Sequence, residues 1–219
     1  MKVAMQNIYD RLKSGGGALR IGIIDADLID HGTRHPNLAL LKISSFCKAQ
    51  GHSVELLMSY EGIEDYDEIF LSCVFSFTKL YEQVLDLPYV HFGGTGIYPD
   101  GGEDLPYEVE HSKPDYSLYQ PYVDEQLAKG RRRSALADYL DYSIGFTTRG
   151  CFRKCSFCVN KKTIVFIRIL LCQSFWMKAV RISICGTITS WHLAIGKAFC
   201  MNCRKLASRS SFARGLMFD

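Results

Sequence analysis

The segment "ALRIGIIDADLI", residues 18 to 29, is an apolar run rich in β-branched residues, with the length of a strand buried on both faces. A strand without polar alternation must be covered on two sides, so this run restricts the fold more than any other feature. "HPNLALLKISSFCKAQGH" then predicts a helix. Pro36 suits its first turn, Leu38, Leu41 and Ser45 share one face with Leu40, Ile43 and Cys47 beside it, and Gly51 is placed to end it. "SVELLMS" and "YDEIFLSCVFSF" predict two more strands, "KLYEQVLDL" a short helix and "YVHFGG" a fourth strand. This β-α-β-β-α-β order, with near-continuous apolar strands, predicts an α/β fold. Its core is a doubly wound parallel sheet over residues 18–94, with strands near 20–29, 53–58, 67–76 and 89–93.

Around this unit the chain changes character. Residues 1–17 read as a short polar leader ending in Gly15, Gly16 and Gly17. Residues 95–140 are rich in Pro, Gly, Asp and Tyr up to about Gly130, as in a linker or an ordered crossing segment. Within them "EQLAKGRRRSALADYL" predicts a helix whose Arg131, Arg132 and Arg133 form a solvated face. "DYSIGFTTRG" predicts a strand that opens the segment 141–162 and delivers a loop of cysteines.

Charge divides the chain near Lys162. The net charge of +3 conceals residues 163–219, which hold eight of the 26 Lys/Arg (Arg168, Lys178, Arg181, Lys197, Arg204, Lys205, Arg209 and Arg214) and a single acid, Asp219. Nine cysteines would suit a disulfide scaffold in a small secreted protein, but "MKVAMQNIYDRLKSGGG" has no apolar run able to act as a signal peptide. A cytoplasmic location with reduced thiols is therefore expected, and clustered cysteines then read as metal or redox ligands. The most apolar run, "TIVFIRILLCQSFWM", is interrupted by Arg168 and is shorter than the ~20 residues a membrane span needs, so no membrane partner is expected.

The cysteine loop is "TTRGCFRKCSFCVNKK", residues 147 to 162, in which Cys151, Cys155 and Cys158 have the spacing C-x3-C-x2-C. A four-iron cluster normally takes four thiolates. Three leave one iron with open coordination sites, as substrate-binding cluster chemistry requires. Structural zinc is the alternative, with a fourth protein ligand and paired C-x2–4-C ligands, for which "CMNC", Cys200 and Cys203, is the candidate pair.

"GFTTRGCFRKCSFC" resembles the first barrel strand and cluster loop of the radical S-adenosylmethionine superfamily, including Phe157 before the last cysteine and the Arg149-Gly150 lead-in. The resemblance implies that Cys151, Cys155 and Cys158 ligate three irons of a [4Fe–4S] cluster and that Phe157 belongs to the cofactor site. It also implies that the fourth iron chelates S-adenosylmethionine, which one-electron reduction cleaves to a 5′-deoxyadenosyl radical. The implied partners are a cellular one-electron reductant and a substrate that the sequence does not name. The implied architecture continues with the start of a partial β/α barrel. Residues 18–94 are similar to the cobalamin-binding-like domain that precedes this barrel in many members, with "VHFGGTG" at their strand-then-Gly-Gly turn and "PDYSLY" near the barrel entry. The family's D-x-H-x-x-G cobalt-ligand motif is absent from "DADLIDHGTRHPN", so His31 and His35 read as loop residues and cobalamin is a cofactor by resemblance alone. Gly93, Gly94 and Gly96 read as turn residues.

The 57 residues after Lys162 show no β-α alternation and a single acidic residue, Asp219. Reading the third base of each codon with the first two of the next, with free choice of wobble bases, converts Thr163 to Phe218 into a string with acids restored. It includes a strand "NIYLWDNNFLA", a helix "NWESILYELQETG" and a strand "FQFRQGLDVR" that resemble the superfamily's next barrel segments. A slip within the codons of Lys161 and Lys162 accounts for the join, and it makes the chain an incomplete form of its parent enzyme. The alternative is an authentic basic segment, in a non-enzymatic protein that binds zinc or nucleic acid, although residues 163–219 carry no recognisable nucleic-acid motif. Resequencing the gene across codons 161–163 is expected to reveal a run of adenines and an intact barrel frame beside it. A single uninterrupted frame through "TIVFIRILLCQSFW" would overturn the slip.

Overall fold

The structure, a computed structural model, describes residues 2–14, 17–99, 102–146, 148–149, 167–168 and 182–186. Four strands, β1 (Arg20–Asp25), β2 (Ser53–Leu57), β3 (Glu68–Ser72) and β4 (Val90–Gly93), form an all-parallel sheet of order β2-β1-β3-β4. Ile21 to Asp25 of β1 run beside Glu68 to Ser72 of β3, and β4 follows β3 with Ile69 opposite Val90. Each predicted strand is present at its predicted place. β1 is shorter than expected because the carboxylate of Asp25 accepts the N–H of Leu28 (3.3 Å) and caps helix α2 (Ala26–His31), and β3 ends at Ser72, ahead of Val74 and Phe75, whose N–H groups go to Asp27. A capping aspartate outweighs the β-propensity of the residues after it, so "DADLI" turns into a helix.

The apolar strands are buried on both faces. Ile21, Ile23 and Phe70 point to one side and Ile24, Ile69 and Leu71 to the other. Gly22 leaves room on the second face, where a Cβ would lie 2.5 Å from Ile69 Cδ1 and 2.9 Å from Leu57 Cδ1 and would displace those side-chain ends. α2, with Ala26 and the partly buried Ile29, covers that face together with Ile63 and Val84 from two short 3-10 turns, Ile63–Asp65 and Glu82–Asp86. The second turn stands where a short helix was predicted.

Helix α3 (Leu38–Ala49) covers the first face with Leu40, Leu41, Ile43, Phe46 and Cys47. Asn37 rather than the Pro36 turn sets its start, accepting the N–H groups of Ala39 and Leu40, and Gly51 follows its end at φ 87°. The leader, expected as a polar segment, is helix α1 (Lys2–Lys13), whose Ile8, Tyr9 and Leu12 enter the same core. Their one- and three-residue spacings make an apolar stripe on an otherwise polar helix. Tyr9 meets Phe46 edge-on and stacks on Phe70.

Residues 95–140 are an ordered crossing segment and not a linker. α4 (Tyr107–Glu110), α5 (Gln120–Ala128) and α6 (Ala137–Leu140) bring Val109, Leu118, Tyr119, Tyr122, Val123, Leu136 and Tyr139 into the core of the first face. Lys42 of α3, 1% exposed, pairs with Glu110 at 2.9 Å, and Asp115 accepts from Ser44 and Lys48 of α3 at 2.7 Å each. The helix predicted over residues 125–140 breaks at Gly130 (φ 83°) into the end of α5, a 3-10 turn at Arg133–Leu136 and α6. The arginine run is spent locally, Arg131 on the Tyr122 hydroxyl and Arg133 on Asp141.

β5 (Tyr142–Phe146) forms where the cysteine-delivering strand was predicted, and Tyr116 of the crossing segment accepts the N–H of Ile144 at 3.0 Å. β5 pairs in parallel with β8 (Ile182–Gly186), and β6 (Thr148–Arg149) pairs antiparallel with β7 (Ile167–Arg168). Residues 163–219, read from the sequence as a frame-shifted tail, contribute β8 beside β5 and β7 beside β6. Of that segment residues 167–168 and 182–186 are described, and the others lie outside the described residues. Among the described residues no helix is long and apolar enough to cross a membrane.

The Tyr9 hydroxyl is buried with no hydrogen-bond partner among the described residues. Tyr9→Phe is therefore expected to keep or raise stability by up to about 2 kcal/mol, because it removes an unsatisfied polar atom. Tyr9→Ala is expected to lose about 3–5 kcal/mol through the cavity it leaves. Denaturant midpoints decide both; a harmless Tyr9→Ala would show that the leader helix does not hold the core.

Candidate functional site

In this strand order the chain leaves β1 toward β2 and returns on the other side of β1 as β3. The carboxyl ends of β1 and β3 are thus the topological switch point, where open α/β sheets bind ligands. Asp25 and Ser72 end the two strands side by side. On the first face, Asp25 accepts the Tyr119 hydroxyl at 2.7 Å, and Asn37 donates its side-chain N–H to Ser72 Oγ at 2.8 Å. Burial pushes the Asp25 carboxyl up to about 6, against the pull of the Tyr119 and Leu28 hydrogen bonds.

On the opposite face Asp27, 1% exposed, is saturated by the loop leaving β3. It accepts the N–H of Val74 (2.7 Å), the N–H of Phe75 (3.2 Å) and the hydroxyl of Thr78 (2.5 Å). Asp30, one turn later, accepts the N–H of Lys79 at 3.2 Å. Two carboxylates of one short helix therefore clasp residues 74–79. The clasp holds an apolar ledge in water, with Val74 and Phe75 exposed, Phe77 69% exposed, and the two rings stacked at 5.2 Å. His31 lies against both rings, with Nδ1 2.9 Å from Gly32 O and Nε2 3.2 Å from Thr78 Oγ1. Such a ledge offers a flat ligand or an apolar partner a surface for stacking, while the carboxylates below it are occupied in holding the loop.

The glycines after β4 fit beneath this loop. Gly94 has φ 105° and a Cβ there would lie 2.0 Å from Cys73 O; at Gly96 a Cβ would lie 2.6 Å from Phe75 O and 2.7 Å from Cys73 Sγ. These two are glycine because the β3 exit passes over them, whereas a Cβ at Gly93 would meet nothing within 4 Å. His35 is drawn aside to Asp138, 3.1 Å away, and so is separated in its contacts from His31. Cys151, Cys155, Cys158 and Phe157 lie outside the described residues, as do Cys200 and Cys203. Among the described residues no group of three His, Cys, Asp or Glu side chains is placed to hold a metal ion. Cys47 and Cys73 are both buried, and burial pushes the Cys47 thiol up to about 12.

The polar residues of the switch point escaped the sequence reading. The signal was present in "DADLID": an aspartate directly before an acidic first turn is an N-cap pattern, and it was outweighed by the apolar run ahead of it. No family model, curated protein or solved structure matches the chain.

Asp27→Ala removes the acceptor of two loop amides and a buried hydroxyl, and is expected to cost about 1–3 kcal/mol for each donor left without a partner. Limited proteolysis should then cut within residues 74–79 before any other described segment, with Asp30→Ala weaker because it frees one amide. Equal resistance of Asp27→Ala and the parent chain would disprove the clasp.

Proposed function

We propose that the chain is an iron–sulfur protein of the radical S-adenosylmethionine type, with Cys151, Cys155 and Cys158 as the thiolate ligands of a [4Fe–4S] cluster and Phe157 beside it. The observation that carries this reading is the C-x3-C-x2-C loop directly after "GFTTRG". The donor set suits the group, since three thiolates satisfy three irons and leave the fourth for an external chelator. The cluster would supply one-electron reduction of S-adenosylmethionine, and the protein around it positions and shields that cofactor. Two features of the fold favour the reading. β5 ends at Phe146, five residues before Cys151, so the loop begins at the carboxyl end of a parallel strand, and Tyr116 fixes that strand through Ile144. The parallel sheet of residues 20–93 is of the doubly wound kind that the cobalamin-binding-like reading requires. Burial of Cys47 and Cys73 raises both thiols and so disfavours the thiolate form that ligation needs.

We assign no substrate. With one acid in residues 163–219, contacts to the methionine, ribose and adenine parts of S-adenosylmethionine are assigned to the frame-restored parent and not to this chain. The working partners are an intracellular one-electron reductant and that unidentified substrate.

Anaerobic reconstitution with ferrous iron and sulfide is expected to give a brown protein, whereas a zinc site is colourless. Cys151→Ala, Cys155→Ala and Cys158→Ala should each lose most of the bound iron and sulfide, while Cys47→Ala and Cys73→Ala should retain them. A full cluster in all three loop variants, or a colourless chain holding stoichiometric zinc, would sink the assignment.

A further inference from the structure

At the carboxyl end of the sheet one hydroxyl joins four elements. Tyr119 donates to Asp25 Oδ2 at 2.7 Å and accepts the N–H of Asn37 at 3.1 Å. Asp25 ends β1 and caps α2; Asn37 caps α3 and reaches Ser72 at the end of β3. Tyr119 directly follows a turn that Leu118 closes on Asp115, which is tied to α3, and that contains Tyr116, which holds β5. The crossing segment is thus suspended between a carboxyl group in the core and the strand that leads to the cysteine loop.

Asp25 is 1% exposed. The titratable groups that act on it or feel its charge are Asp27 from α2, Cys73 beyond β3, Tyr60 beyond β2, and Tyr119 and Tyr139 from the crossing segment. None is a cation. A carboxylate in such surroundings is expensive, whereas a neutral carboxyl keeps both of its hydrogen bonds at little cost.

We propose that Asp25 and Tyr119 form a proton-linked latch, in which the protonated carboxyl holds the crossing segment to the sheet and loss of the proton loosens that segment, and with it β5, while the sheet stays folded. The inference is independent of whether the cysteine loop carries a cluster. Its direction follows from linkage. Burial raises the Asp25 carboxyl from its usual 3.8 to about 6 when latched, so the latched state binds the proton more tightly than the released state. The latch is strongest below about pH 4, weakens as pH rises from about 4 to about 6, and is level above that range. A difference of about two pH units corresponds to a roughly hundredfold change in the latching equilibrium.

Native-state hydrogen exchange on the full chain between pH 4 and 7, corrected for intrinsic rates, tests this. Amides of residues 107–140 are expected to lose protection by up to about a hundredfold across that range, with a midpoint matching the Asp25 carboxyl titration followed by NMR. Amides of Ile23 and Phe70 should not follow. Asp25→Asn, neutral at every pH, should abolish the pH dependence and leave the segment latched at pH 7. Should that variant fail to fold, Tyr119→Phe serves in its place: loss of the donor raises the Asp25 carboxyl further and moves the midpoint to higher pH. A pH dependence shared by Asp25→Asn, an unmoved midpoint in Tyr119→Phe, or sheet amides that open in step with residues 107–140 would each overturn the latch.

Discussion

Everything in the described fold answers one requirement, that a sheet whose central strands are apolar on both faces be covered twice. β1 and β3 are buried almost throughout, whereas the outer strands β2 and β4 keep partly exposed residues. Burying an Ile, Leu or Phe side chain is worth roughly 1.5–3 kcal/mol, so leaving either face open would forfeit several such terms at once. The chain meets the requirement unevenly. One face is closed by α2 and two single-turn 3-10 elements, the other by α1, α3 and the whole crossing segment. The first arrangement is local in sequence; the second recruits residues from both ends of the folded region. Residues 107–140 therefore belong to the core as fully as α3 does.

This asymmetry explains which parts were legible beforehand. The four strands were visible because continuous runs such as "IGII" and "IFL" have no polar positions to obscure them, and α3 because its apolar stripe is long. α1 was hidden by its polar majority, since only Ile8, Tyr9 and Leu12 touch the core. The crossing segment was hidden by its Pro, Gly and Asp content, which describes its turns and says nothing of the tyrosines between them. Tyr119 and Tyr139 are buried through partners 82 to 106 residues away, Asp25 and Asn37 for the former and Thr33 for the latter. No local pattern carries information about such pairings. The candidate site divides in the same way: the cysteine loop is a linear motif and was read from its spacing, whereas the clasp of Asp27 and Asp30 on residues 74–79 exists only once β1 and β3 are neighbours.

Polar groups at the two ends of the first face are handled differently. At the amino end, Glu68 is engaged by Arg11 of α1 and by His91 of β4, and burial together with the Arg11 charge pushes His91 down to about 4, so that its imidazole is neutral and donates to Glu68. That cluster contains a permanent cation and is settled at neutral pH. At the carboxyl end, Asp25 has only neutral donors and another carboxylate for company. A guanidinium in place of the Tyr119 hydroxyl would have fixed the charge of Asp25 over the whole physiological range. The hydroxyl instead leaves its proton exchangeable near pH 6, at the point where β1, α2, α3, β3 and the crossing segment meet. The same end of the sheet also carries the Phe75 and Phe77 ledge, with α2 contributing both the clasp that supports the ledge and, through its cap, the carboxyl of the latch. One six-residue helix thus serves both contacts at the carboxyl end of the sheet, because Asp27 and Asp30 hold the loop after β3 while Asp25, its cap, accepts from Tyr119.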